Sequence, residues 1–236
     1  MKGFIILGLS VSSVLSAQTD STQIKEIQEV SFTRRLPVSK EIINVQKDLG
    51  SKNLGQDLPI LLKNQMSVVA TSDAGNGVGY TGFRIRGSAG TSINVMLNGV
   101  PYNDSESQGT FFVNIPDMAS SASQIVIQRG VGTSSNGTAS FGASVNILTK
   151  NPDEKPYVLG QFSAGSFNTM KTSFEAGTGK FLNNLLSVSA RYSTINSDGY
   201  IDRAFSKLNS YNINALFEKG NTKIRFLTFG GKEKTY

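Results

Sequence analysis

The chain has neither cysteine nor histidine among its 236 residues. These absences exclude histidine acid–base catalysis, cysteine nucleophiles, disulfides and zinc sites built from Cys and His. Charged residues make up 17% and hydrophobic residues 38%, both low for a soluble globular domain. The 24 glycines, with many serines and asparagines, fill the difference. This composition favours turns and short strands over long helices.

Two further absences concern partners and membranes. The net charge is +6, but no block of Lys and Arg occurs, so nucleic acid is not a predicted partner. No run of about 18 apolar residues follows the N-terminal segment, which argues against a helical membrane span. A transmembrane β-barrel is compatible with the composition, because alternating strands leave only a weak hydropathy signal. No metal site or cofactor is predicted.

Residues 1–17 have the pattern of a secretory signal peptide. Lys2 is followed by an apolar stretch and then by the small residues Ser16 and Ala17. Export is favoured over a first core helix, because polar and acidic chain follows at once. We expect cleavage after Ala17, and no cysteine is present there for a lipoprotein anchor.

The middle of the chain predicts a small α+β domain. Leucines at helical spacing, with Pro59 in the first turn, predict a short helix over 56–64. A second helix of one or two turns is predicted with Pro116 at its start. Strands are predicted at 82–86, 93–98, 124–129 and 143–149.

The last part of the chain has five segments of about ten residues, in which apolar and polar side chains alternate. Phe174 and Ala176, for example, alternate with Ser173 and Glu175. Transmembrane β-strands need about 9–11 residues with one face toward lipid. A soluble antiparallel sheet with one wet face gives the same alternation, and the export signal favours the membrane alternative.

Five strands cannot close such a barrel, because unpaired backbone groups in hydrocarbon cost several kcal/mol each. The alternation is still in progress at the final stretch, GGKEKTY. We therefore expect the chain to be part of a longer barrel protein.

Four short motifs lie between residues 50 and 150. They are GFRIRG, an NGVP turn, an IQRG strand end and FGASVNI shortly before a Thr-Lys pair. Together they resemble the plug domain of TonB-dependent outer-membrane receptors, and the alternating segments resemble the start of that family's barrel. The resemblance implies an α+β plug domain followed by antiparallel strands of a transmembrane β-barrel, about 5 of 22 strands.

This resemblance implies uptake of a scarce solute across the outer membrane and no enzymatic activity. Because no long extra domain separates the signal from the plug, a ferric siderophore is the expected cargo, with cobalamin or another metal chelate next. The implied partners are the TonB energy-coupling protein, outer-membrane lipid and the metal chelate. An exported surface-binding protein or adhesin is the alternative. An exported enzyme is disfavoured, since no nucleophile or paired-carboxylate spacing stands out.

The segment IQEVSF resembles a TonB box, the peptide that such receptors offer to the coupling protein. Box peptides add a strand to the partner's sheet, which needs an extended and accessible segment. The predicted box residues are Ile27, Gln28, Glu29, Val30, Ser31 and Phe32. The implied order is signal peptide 1–17, periplasmic extension 18–50, plug domain 51–152 and barrel strands 153–236.

Three arginines are candidates for contact between plug and barrel. In a strand, Phe83 and Ile85 point to one face and the guanidiniums of Arg84 and Arg86 to the other. The resemblance implies that these two meet glutamates of the barrel wall, for which a bidentate, permanently charged donor is suited. Arg129 ends another strand, where a structural role is the first interpretation and a barrel contact the alternative.

Two polar loops are candidates for contact with cargo, because plug apices face the extracellular side in the resembling family. One loop is DAGNGVGY and the other follows the NGVP turn. An ordinary solvated loop is the alternative in both cases. The candidate residues are Asn76, Tyr80, Asn103, Asp104, Glu106 and Gln108.

Overall fold

A computed structural model gives the structure of residues 39–131 and 140–235. The α+β region, residues 39–150, contains β1 (Ser39–Asn44), α1 (Leu58–Leu61), β2 (Val68–Ser72), β3 (Thr81–Ile85), β4 (Ile93–Leu97), β5 (Val100–Pro101), α2 (Met118–Ser121), β6 (Ala122–Arg129) and β7 (Ala143–Thr149). Tight helical turns lie at Val45–Leu49, Gly50–Lys52, Gly90–Ser92 and Phe112–Asn114. The second part, which we call the wall, contains β8 (Pro156–Gly165), β9 (Thr169–Phe181), β10 (Leu186–Ser197), β11 (Ser206–Lys219) and β12 (Thr222–Thr235).

The α+β region is organised around a five-stranded sheet with the order β1-β6-β7-β4-β5. Only the β4–β7 pair is parallel, and the other neighbours are antiparallel. All of β1 pairs with β6, from Ser39 opposite Arg129 to Asn44 opposite Gln124. The sheet therefore begins before residue 51, where the sequence analysis placed the start of the domain.

The predicted strands of this region are confirmed within one or two residues by β3, β4, β6 and β7. The helix predicted over 56–64 is wrong in length, since α1 covers only Leu58–Leu61. After Leu61 the chain tightens into turns: the amide of Lys63 bonds to Ile60 and that of Gln65 to Leu62. Leu58, Leu61 and Leu62 of the leucine stripe are buried, whereas Leu54 is 47% exposed, and a single helical turn is enough to place the three buried side chains in the core.

The core lies between the sheet and the helical turns. Ile125 and Ile127 of β6, with Val145 and Ile147 of β7, are each exposed by 1% or less. They alternate along their strands with half-buried residues. Burying one such side chain contributes about 1.5–3 kcal/mol, so this face of the sheet anchors the region.

A separate two-stranded sheet pairs β2 with β3. Phe83 and Ile85 are buried and Arg84 is exposed, as the alternation predicts. Arg86 lies one residue past the strand in a left-handed conformation (φ 52°), so it begins a turn instead of continuing the strand.

The wall is an antiparallel sheet in which β8 to β12 follow one another in chain order. Its strands are 10 to 14 residues long. At about 3.3 Å per residue, they are long enough to cross the hydrocarbon core of a bilayer even when tilted.

Burial in the wall is inverted relative to a soluble sheet. The inner face, which meets the α+β region, buries the polar residues Ser173, Arg191, Ser193, Asn212 and Asn214. The outer face leaves large apolar side chains 52–83% exposed, namely Val158, Phe162, Phe174, Tyr192 and Phe226. An apolar outer band with a polar interior is the arrangement of a transmembrane strand.

No helix in the described part of the chain has both the length and the apolar character needed to cross a membrane.

Candidate functional site

The α+β region and the wall meet at a buried ionic centre. Asp117 lies immediately before α2, and its side chain has no exposed surface. Its backbone is left-handed (φ 53°, ψ 27°), a conformation that aspartate tolerates better than most residues. The hydroxyl of Ser120 donates to its Oδ1 at 2.5 Å, which fixes the carboxylate at the start of the helical turn.

Two cations reach this carboxylate from neighbouring wall strands. Lys171 of β9 donates from Nζ to Oδ1 of Asp117 at 2.6 Å and to Ser120 Oγ at 2.8 Å. Arg191 of β10 pairs with Oδ2 of Asp117 and donates from Nη2 to the backbone oxygen of Asp117 at 3.0 Å. Its Nε and Nη2 also donate to Ser121 Oγ, at 3.0 and 2.7 Å. The carboxylate is therefore bound by both strands at once.

The electrostatics keep Asp117 ionised in spite of its burial. Burial acts to raise the pKa of this carboxyl, but the charges of Arg191 and Lys171 outweigh it, so the pKa lies below its usual value. A buried pair of this kind adds little net stability compared with an apolar contact, yet losing one member leaves an uncompensated charge. The centre thus specifies how the two parts fit together.

A second contact lies where β7 ends. Arg225 of β12 donates from Nη2 to Thr149 Oγ1 at 2.7 Å and also to the backbone oxygen of Lys150. Its Nε donates at 3.0 Å to Asn214 of β11, and the amide of Asn214 donates to the same Lys150 oxygen. The wall thereby supplies hydrogen bonds to the backbone oxygen of Lys150, just after the chain leaves the sheet.

A third contact involves residues 74–80, which we call the seating loop. Asn76 donates from Nδ2 to Ser197 Oγ at 2.6 Å, and the amide of Tyr200 donates to the oxygen of Ala74 at 3.1 Å. Val78 is fully buried with Ile195 and Leu208 of the wall. This loop combines hydrogen bonds with a small apolar contact.

The sequence of the α+β region matches a known family. The family model described as TonB-dependent Receptor Plug Domain matches residues 33–144. The α+β region is a TonB-dependent receptor plug domain. No curated protein matches this chain in sequence.

The plug domain and the wall together match solved structures of receptors and transporters. The pyoverdine outer membrane receptor FpvA from Pseudomonas aeruginosa PAO1 is 13% identical, with a TM-score of 0.63 over 83% of this chain and 28% of that chain. The ferric yersiniabactin uptake receptor FyuA from Yersinia pestis is 15% identical, with a TM-score of 0.63 and coverages of 83% and 32%. The copper transporter OprC is 14% identical, with a TM-score of 0.67 and coverages of 83% and 31%.

These matches confirm the fold expected from the sequence, a plug domain followed by antiparallel strands of the receptor barrel. The chain spans less than a third of the length of these three structures.

Of the three arginines predicted to join plug and barrel, Arg129 contacts only the plug domain among the described residues. Its Nε donates to the oxygen of Met66 at 3.0 Å, and its guanidinium pairs with Glu41 of β1. The contact agrees with the structural interpretation, because it ties β1 and the loop before β2 to the end of β6.

Arg84 and Arg86 are both exposed. Within residues 39–131 and 140–235, neither guanidinium has an ion pair with the wall. A Cβ placed on Gly130 would lie 3.6 Å from Nη1 of Arg86, so this side chain extends over the end of β6. Their contact with barrel glutamates stays a prediction.

Half of the predicted cargo residues collect at one cavity of about 560 Å³. Asn103, Asp104 and Gln108 line it, together with Thr91, Ser92, Asn94, Pro101, Ser105 and Phe141. The side chain of Asn103 is committed to the fold, since it accepts from Val95 and donates to Ile93 and Gln108.

Asp104 is also part of the fold of the loop that lines the cavity. Its Oδ1 accepts from the amides of Glu106 and Ser107 and from the Ser107 hydroxyl at 2.7–3.1 Å. These hydrogen bonds, led by that of the Ser107 amide, hold the pKa of Asp104 below its usual value. The rim of the cavity therefore carries a permanent negative charge at neutral pH.

The other cargo candidates do not line this cavity, although Glu106 lies on the same loop as Asp104. Asn76 lines a smaller cavity of about 240 Å³ between the seating loop and the β8–β9 hairpin, which includes Phe167. Tyr80 and Glu106 are exposed. The predicted cargo residues thus divide between two places on the plug domain.

The predicted TonB box, residues 27–32, and the signal peptide lie outside the described residues.

The ionic centre was not predicted from the sequence. In the sequence, Lys171 and Arg191 are polar positions on alternating strands, and Asp117 is a residue near a predicted helix start. A usable signal was present, because a charged residue on the lumen side of a barrel strand needs a partner of opposite charge. The partner itself is 54 and 74 positions away in sequence and could not be paired by spacing.

Proposed function

We propose that this chain is part of an outer-membrane receptor that takes up a scarce solute with energy from the TonB system. The proposal depends on one observation: buried charged contacts join the plug domain to a wall whose outer face is apolar and whose inner face is polar. A polar seal of this kind suits a plug that must be held firmly and also move, since water can replace hydrogen bonds as they separate. The activity is therefore transport and not catalysis.

The cargo that fits best is a metal chelate, with a ferric siderophore first and cobalamin or another chelate next. Supporting this choice, the similar structures include receptors for pyoverdine and ferric yersiniabactin and a copper transporter. The cavity at Asn103 and Asp104 has a volume within the range of small-molecule sites. Its polar rim is suited to the amide and hydroxyl groups of a chelator.

Energy coupling would occur through residues 27–32. An extended Ile27–Phe32 segment would pair with an edge strand of TonB. A signal peptide at 1–17 would direct the protein to the cell envelope before this pairing.

Uptake of radiolabelled ferric chelates and cobalamin by a strain lacking the gene, with and without the complete receptor on a plasmid, tests the proposal. We expect the plasmid to restore uptake of one chelate and the protein to fractionate with the outer membrane. Recovery of the protein in the soluble periplasm, with no uptake of any chelate, would instead support an exported binding protein.

Two variants separate binding from energised uptake. Val30→Pro removes a backbone donor from the predicted box, so uptake should be lost while chelate binding to whole cells is kept. The double change Arg84→Ala with Arg86→Ala should likewise keep binding and reduce uptake. Normal uptake in either variant would remove the corresponding assignment.

A further inference from the structure

A buried carboxyl lies behind the seating loop. Asp57, just before α1, is 3% exposed, and its amide donates to the oxygen of Gly77 at 2.9 Å. Its Oδ2 accepts from the Thr81 hydroxyl of β3 at 2.9 Å. Its Oδ1 is buried and has no hydrogen-bond partner among the described residues. Asp57 is therefore joined to the seating loop through its backbone amide, whereas its side chain is only half satisfied.

At Gly79 the seating loop packs closely against the wall. Ser206 Oγ approaches the oxygen of Val78 at 3.4 Å. A Cβ placed on Gly79 would lie 3.0 Å from Ser206 Oγ and 3.2 Å from Cγ2 of Thr235. Asp57 is thus bonded to Gly77, two residues from the point where the loop packs on the wall.

The charged groups that act on Asp57 are both carboxylates. Glu233 faces it from β12, and Asp117 faces it from the start of α2. Oε2 of Glu233 is itself buried without a hydrogen-bond partner in the described residues. Lys171, which touches the chain at Gly55, is already bound to Asp117.

These surroundings favour the neutral form of Asp57. Burial raises its pKa to about 7, although hydrogen bonds from Thr81 and the amide of Gly79 act in the opposite direction. Glu233 and Asp117 raise the pKa further. The group therefore changes charge near neutral pH, which an exposed aspartate does not do.

We infer that Asp57 makes the seating of loop 74–80 on the wall depend on protonation. The loop is seated while the carboxyl is neutral, and it loosens when a buried carboxylate without a counter-charge forms behind it. The sign follows from linkage: a carboxyl whose pKa is raised in the seated state stabilises that state at low pH, and this stability is lost as pH rises through about 7. The inference depends on plug–wall contacts alone and applies whichever solute is carried.

The absence of native cysteine allows a direct test. Val78→Cys places the only thiol of this chain on the buried face of the seating loop, where a water-soluble maleimide reacts only when the loop lifts. Labelling is measured from pH 6 to pH 8 in outer-membrane vesicles, in the Asp57 background and in an Asp57→Asn background. Ser105→Cys, at an exposed position, gives the intrinsic pH dependence of the reagent.

After that correction, we expect labelling of Val78→Cys to rise about tenfold between pH 6 and pH 8. The opening equilibrium changes about tenfold for each pH unit between the pKa of Asp57 in the loosened state and its pKa in the seated state, which is about 7. The interval from pH 6 to pH 7 is the part of that range that the experiment covers. The Asp57→Asn background should show no such rise. Glu233→Gln removes one of the carboxylates that raise the pKa, so the rise should move to lower pH. A corrected rate that is flat in the Asp57 protein, or a rise that persists unchanged in Asp57→Asn, would overturn the inference. Neither result depends on uptake, so the proposed transport function would be unaffected.

Discussion

In the plug domain, Ile125, Ile127 and Ile147 point inward and are buried to 1% exposure or less. In the wall, Ser173 is buried at 3% exposure, whereas its neighbour Phe174 is 62% exposed. Buried and more exposed residues alternate along these stretches of both sheets, so the strand pattern itself does not distinguish them. What differs is the medium that each outer face requires: water for the plug domain and hydrocarbon for the wall.

The comparison also explains why the interface between the two parts is polar. The plug domain presents a water-compatible surface, and the wall presents its polar face inward, so apolar contact between them is confined to small clusters such as Val78 with Ile195 and Leu208. Asp117, Lys171 and Arg191 meet where these two surfaces touch. An ionic centre in this position gives a specific fit, and it makes the interface sensitive to the loss of any one charge.

The largest expected effect comes from breaking this centre. Asp117→Ala leaves Lys171 and Arg191 buried without a counter-charge, and we expect it to lower the free energy of unfolding by about 3–5 kcal/mol. Guanidinium titration of the receptor in detergent, followed by far-UV circular dichroism, measures the change.

The matched control is Asp73→Ala, which removes an exposed carboxylate of the same domain. It should change the free energy of unfolding by less than about 0.5 kcal/mol. If Asp117→Ala were no more destabilising than this control, the two cations would have to find other partners, and the polar interface would not specify the fit.

Local patterns account for most of what could be predicted. Alternation placed the strands of both parts and showed which side chains of β3 are buried, because period-two burial is a local property. The strand pattern could not show that Arg86 leaves the strand, since that depends on its left-handed backbone and on the turn that follows.

Long-range pairings set the limit of prediction. The pairing of Arg129 with Glu41 joins residues 88 positions apart, and β1 was expected to lie outside the domain. Burial raises the pKa of Asp57, and Glu233, which lies on the last strand of the wall, raises it further. Neither pairing can be predicted from the spacing of residues in the sequence. The partners meet only when β1 joins the sheet or when β12 packs against the seating loop.

A smaller effect tests the inverted wall. Phe174→Arg puts a charge on the lipid-facing side of β9 and should destabilise insertion by about 2–4 kcal/mol if the position lies near the bilayer centre. Phe111→Arg, at a 47% exposed position of the plug domain, should cost less than about 0.5 kcal/mol. Urea titration of receptor folded into lipid vesicles distinguishes them. Equal effects would mean that the outer face of the wall meets water.

The smallest expected effect compares the core of the plug domain with the outer face of the wall without adding a charge. Ile127→Val removes one methylene from the packed core of the plug domain, where the neighbours cannot fill the space, and should cost about 0.5–1.5 kcal/mol. Ile213→Val makes the same chemical change at a 38% exposed position on the outer face of β11. Mobile lipid chains can fill the space there, so the loss should be smaller than in the core. The two free energies of unfolding, measured in the same vesicles, should therefore differ although the deleted group is identical. A larger loss at Ile213 than at Ile127 would mean that the outer face of β11 packs against protein.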